Sequence, residues 1–155
     1  MRFLLSLFAS VILCSCESTR DVTQHPGAKT DFVPSRSYAL KEPVFIYRVE
    51  PNEQKKGASL APLGYAGTPR DVEQFRASTP RDPQVLGVLM PGDIVKVTQF
   101  LEESSLSLGT FFKVFARIES GPHKGTVVDL NLISKEKRPT AQAHVDPAYL
   151  QPLEP

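Results

Sequence analysis

Fourteen prolines punctuate this 155-residue chain, the first at Pro26 and the last at Pro155. Each fixes its own φ and lacks an amide hydrogen, so each ends or excludes a helix or an interior strand at its position. Nine glycines add turns, and no Trp is available to nucleate a large aromatic core. Such spacing admits short strands joined by tight turns and leaves little room for long helices. The expected class is all-β.

The prolines begin only after an unlike N-terminus. Arg2 is followed by the apolar run Phe3 to Leu13, which suits a secretory signal and is too short to cross a bilayer as a helix. The run closes on Leu13-Cys14-Ser15-Cys16, which resembles the bacterial lipobox. That resemblance implies cleavage between Ser15 and Cys16, a diacylglycerol on the Cys16 thiol and an acyl chain (commonly palmitate) on the new amino group. Several acyl chains, at ~0.8 kcal/mol per buried methylene, give stable anchoring. Glu17 stands where Asp in Gram-negative lipoproteins often favours the inner membrane, so a Gram-negative host implies the outer membrane. The alternative is an ordinary signal peptide cut near Ser18, leaving a free thiol.

Loss of residues 1–15 leaves 140 residues with 17 basic and 17 acidic groups. A balanced chain exerts no long-range attraction on nucleic acid or anionic lipid. Both cysteines lie in the signal region, so no intramolecular disulfide can hold the mature fold. Residues 16–37 are polar, carry Pro26 and Pro34, and read as a lipidated tether spanning roughly 25 Å root-mean-square. Residues 38–155 then form one domain.

Strand signals recur along that domain. Pro43 to Val49 alternates Val44 and Ile46 against Phe45, Tyr47 and Val49, with both faces apolar. Residues 50–83 read as a long insertion with one short helix from Pro69 to about Arg76, capped by Thr68. Gln84 to Met90 runs into the turn Pro91-Gly92-Asp93. Ile94 to Leu101 places Val95, Val97 and Leu101 on one face. Thr110 to Ile118 directs Phe112, Val114, Ala116 and Ile118 inward, with Phe111, Lys113, Phe115 and Arg117 outward. After the turn Gly121 to Gly125, Thr126 to Ile133 resumes the pattern. Val145 to Pro152 reads as one tight turn and a closing strand.

The sequence from Leu89 through Gly92 into Ile94-Val95-Lys96-Val97, the strand Phe111 to Ile118, the hairpin Gly121 to Val128 and the ending Val145 to Leu153 resemble bacterial SH3-like domains. The resemblance implies a small barrel of about five short strands with an unusually long first loop. Trp residues common in that family are missing. Asn131-Leu132-Ile133 offers a second possible ending.

No nucleophile elbow, phosphate loop or dinucleotide fingerprint occurs, so no enzyme, cofactor or metal is expected. His25, His123 and His144 lack metal-ligand spacing. His123 reads as a solvated turn residue, and His144 with Asp146 as a solvated pair. Glu102 and Glu103 read as part of a solvated hairpin loop. The candidate site is an outward aromatic shelf of Tyr47, Phe111, Phe115 and Tyr149 with Lys113 and Arg117 beside it. SH3-type barrels bind extended or Pro-rich peptides on such shelves. The competing reading is that the insertion covers these rings, with Tyr65 and Phe75 as the cover. The expected function is a lipid-anchored cell-envelope binding module for a peptide, cell-wall or protein partner. The alternative is an assembly lipoprotein that docks into an envelope complex and takes no small ligand.

Overall fold

The computed structural model describes residues 18–48, 57–77, 84–105, 109–136 and 141–154. The segment read as a signal, with Ser15 and Cys16, lies outside them. The described residues are mostly β, with one short helix, α1 (Val72–Ala77). The strands are β1 (Ser18–Asp21), β2 (Ser37–Leu40), β3 (Val44–Arg48), β4 (Ala58–Pro62), β5 (Val85–Leu89), β6 (Ile94–Ser105), β7 (Gly109–Ile118), β8 (Val127–Asp129) and β9 (Leu150–Pro152). They form one sheet in the order β5-β3-β4-β8-β7-β6-β2-β9, with β1 added to β6. All pairs are antiparallel except β4 with β8.

The all-β expectation holds, and the five-strand barrel is corrected: nine strands form an open sheet. The sheet is strongly curled, because β5 and β6 are separated in the order by four strands yet joined by the short turn at Met90–Asp93. Gly92, at φ +92°, makes that turn, and its amide donates to Leu40 O at 2.8 Å. Asp93 closes it by accepting from the Met90 amide and from the Ser120 hydroxyl, each at 2.8 Å. The main core fills the inside of the curl with Val44, Ile46, Leu60, Leu89, Val95, Phe100, Phe112, Val114 and Ile118 among others.

Three strands, β1, β2 and β4, lie where the sequence was read otherwise. β4 falls inside residues 50–83 and pairs with β3 and β8, so that stretch is part of the sheet as well as a loop. Residues 18–37, read as a tether, hold β1, a 3₁₀ turn (Gly27–Lys29) and Phe32, which is buried and packs edge-on against Tyr38 at 5.5 Å. A parallel bridge joins Thr30 to Ala143. β1 is short and polar, and hydrogen bonds from the Gln99 side-chain amide to Asp21 and from the Phe100 amide to the Thr23 hydroxyl support its pairing with β6.

Two local corrections have clear causes. The register of β6 on β7 shifts between Val97 and Gln99. This bulge moves the inward phase onto Phe100, fully buried, and leaves Leu101 on the other face. α1 starts three residues later than expected. Its cap is Asp71, whose carboxylate accepts from the Gln74 amide at 2.6 Å, as an N-cap does from the third helical residue. Thr68 is buried, and its hydroxyl has no partner among the described residues.

Gly87 in β5 permits another close approach. A Cβ there would lie 2.2 Å from His123 Nε2, so the imidazole rests on bare backbone. His123 is therefore half-buried packing and not a solvated turn residue.

Candidate functional site

β3 and β7 both carry large residues on two faces, and the fold treats their outer faces differently. On β3, Val44 and Ile46 enter the main core, while Phe45 and Tyr47 enter a second cluster with Ala61, Phe75, Val85 and Leu132. Phe75 of α1 packs on Phe45 at 5.2 Å, and Tyr65 meets Tyr47 edge-on at 5.5 Å. Tyr47 Oη donates to Gln84 Oε1 at 2.6 Å. Tyr65 and Phe75 are thus the cover, and Tyr47 does not belong to an outward shelf. Tyr149 is also apart, partly buried against the main core.

The four β7 residues remain together. Phe112, Val114, Ala116 and Ile118 are all fully buried, which fixes Phe111, Lys113, Phe115 and Arg117 on the opposite, outer face. Phe111, Lys113 and Phe115 are half-buried and Arg117 is exposed. Lys113 Nζ pairs with Glu103 Oε2 at 2.8 Å across the hairpin. Arg117 Nε pairs with Glu119 at 2.9 Å, and that guanidinium holds the Glu119 carboxyl below its ordinary range. Glu102 and Glu103 are strand residues, not a solvated loop. They point to opposite faces, and Glu102 pairs with Lys29 at 2.7 Å.

Directly paired residues share a face. Phe115 therefore stands in one row with Gln99 and Asp129, and Arg117 with Lys96 and Val127. An open groove of about 660 Å³ lies along this face, lined by residues that include Asp21, Thr23, His25, Thr98, Gln99 and Val127. Val127 is 51% exposed at its margin. Asp21 is held as an anion below the ordinary Asp range, first by the Gln99 amide (2.8 Å) and then by Thr23. The groove thus offers a fixed carboxylate, an exposed valine and, beside them, a half-covered phenylalanine.

Asp129 is the unusual charge here. Burial pushes its carboxyl up to about 6, against the opposing hydrogen bond from the Asn131 amide at 2.7 Å. Asn131, itself buried, continues the sheet by its side chain: Oδ1 accepts from Val114 N at 3.0 Å and Nδ2 donates to Phe112 O at 2.6 Å. An amide side chain replaces the missing strand backbone where β8 stops. No alternation or motif marks this residue in the sequence.

Elsewhere, His144 lies beside Asp31 (3.7 Å) and Glu136 (3.9 Å), and not in a pair with Asp146. Among the described residues no cluster of His, Cys, Asp and Glu is disposed to hold a metal. No described helix is long and apolar enough to cross a membrane. No protein-family model, curated protein or solved structure matches the chain.

Proposed function

We propose that this chain is a lipid-anchored envelope protein that binds an extended partner segment along the outer face of β6 and β7 and carries out no reaction. The single observation behind this reading is that, among the described residues, the outer face of β7 is less covered than that of β3. The same kind of aromatic face on β3 is sealed by Phe75 and Tyr65, whereas Phe111 and Phe115 stay half-exposed beside a groove. Half-buried aromatic rings next to fixed charges suit a partner that brings both apolar and polar groups. The signal run and Cys16 supply the address, with an outer-membrane site in a Gram-negative host.

The partner is an envelope protein or the peptide portion of the cell wall. The test is a photo-crosslinking residue at position 115 of the full mature chain, expressed in its envelope, with a second at exposed Lys124 as control. A discrete adduct from 115 alone supports the reading. A protein adduct of fixed stoichiometry favours assembly into a complex, and label on purified sacculi favours a cell-wall ligand. Equal adducts from both positions, or from neither, refute it.

A further inference from the structure

We infer that β1 abolishes the tether and fixes the orientation of the molecule, so that acylation at Cys16 seats the turn end of the β6–β7 hairpin, marked by the Ser104–Thr110 pair, against the bilayer. The inference rests on the lipid anchor proposed above and adds to it a geometry that the anchor alone does not give.

The register supplies that geometry. β1 pairs with the last part of β6, Ser18 opposite Ser104, Thr19 opposite Glu103, Arg20 opposite Glu102 and Asp21 opposite Leu101. Ser104 is in turn paired with Thr110 near the end of the hairpin. Cys16 precedes Ser18 by two residues, which reach at most ~7 Å when fully extended. Covalent reach alone thus ties an acyl group on Cys16 to the hairpin end that Ser18 and Ser104 mark. A free chain of residues 16–37 would instead let the domain wander at roughly 25 Å from the membrane in any orientation.

β1 is locked at its other end. The Val22 amide donates to Phe100 O at 3.0 Å, and the Phe100 amide donates back to Thr23 Oγ1 at 2.9 Å. The Gln99 amide holds Asp21, and Val22 packs on the core. Each bond ties the N-terminal segment to β6 at the point where β6 enters the core. The hairpin end also carries compensated charge, since Lys29 is paired with Glu102 and Lys113 with Glu103. No net repulsion opposes its approach to a lipid surface.

At the far end, Ile118 lies eight residues, or ~26 Å, along β7 from Thr110, and the turn holding Lys124 follows it. A membrane seated at the hairpin end therefore leaves this turn, and the groove beside Val127, toward the aqueous side.

The experiment uses the full mature chain in vesicles of phosphatidylethanolamine and phosphatidylglycerol containing brominated lipid. Once Cys16 is alkylated the chain has no other cysteine, so Thr110→Cys and Lys124→Cys each take a single fluorophore. Acylation is read separately by an alkyne fatty acid. The expected result is acylated protein with quenching at 110 at least threefold stronger than at 124. It also includes loss of that contrast when Thr19→Pro and Arg20→Pro together break the β1 ladder. Acylated protein with equal quenching at both positions, or with the stronger quenching at 124, overturns this inference and leaves the anchor standing. Protein without acyl label overturns the anchor and the inference together. Amide exchange provides an arm free of lipid: the Arg20 and Val22 amides, which face β6, must be protected, and exchange of both at the rate of a free chain overturns the β1 lock.

Discussion

The outer faces of β3 and β7 are alike in sequence and unlike in the folded chain. Each strand alternates, and each sends two aromatic rings away from the main core. On β3 those rings, Phe45 and Tyr47, are 0% and 7% exposed, whereas on β7 Phe111 and Phe115 keep part of their surface in solvent. The cause is supply of covering chain. Residues 57–77 return across β3 with Leu63, Tyr65 and Phe75, and Leu132 joins from the opposite side. Among the described residues no second apolar cluster forms over β7, whose outer face has an ion pair and a groove. Aromatic alternation therefore marks a strand with two useful faces, and only the connecting segments decide which face is packing and which is surface.

Breaking the sealed side has the largest expected effect. Phe45→Ala removes a fully buried ring from the second cluster and lowers stability by about 3–5 kcal/mol, measured by denaturant unfolding. A loss below about 1 kcal/mol there means that the cluster is not packed as described. Next is the hinge between the two sides. Asn131→Ala leaves the Val114 amide and Phe112 carbonyl without their side-chain partners and costs about 2–3 kcal/mol. A neutral result assigns those groups to solvent.

The third change sharpens the comparison by pH. Asp129 keeps its proton up to about pH 6 in the fold and loses it in the ordinary Asp range when unfolded. The native state therefore binds more protons in that window, and stability falls as pH rises from about 4 to about 6. Asp129→Asn removes this fall and gains on the order of 2 kcal/mol at neutral pH. A variant with the parental pH profile would contradict the assignment. The smallest effect belongs to the open side. Phe115→Ala costs less than about 1 kcal/mol in stability, and a photo-crosslinking residue placed at position 111 of that variant gives no adduct. A stability loss matching that of Phe45→Ala makes the β7 face a second core.

Much of the sheet is legible from the residues. The strict alternation from Phe111 to Ile118 identifies the inward side of β7, and the doubly apolar Val44 to Tyr47 marks a strand buried on both faces. Gly92 and the pair Gly121 and Gly125, all at positive φ, identify turns. β1 and β2 escape because four-residue strands of mixed polarity give no period, and their partners lie more than fifty residues away. The bulge at Thr98 is illegible for another reason: it is a two-against-one mismatch with a partner strand, and nothing in β6 alone announces it. Half of the candidate shelf fails on the same ground. Tyr47 and Tyr149 resemble Phe111 and Phe115 in type, and only long-range packing separates them.

The placement of β2 bears on how such a chain reaches its native state. Ser37–Leu40 lies between β6 and β9, bonded to residues 94–96 on one side and 150–152 on the other. A polypeptide threaded through a pore N-terminus first delivers β2 early and its second neighbour almost last. Sheet closure must wait for Leu150, and the waiting chain presents unsatisfied strand edges along most of its length. The ladder on the second side of β2 therefore forms only once residues 150–152 are present.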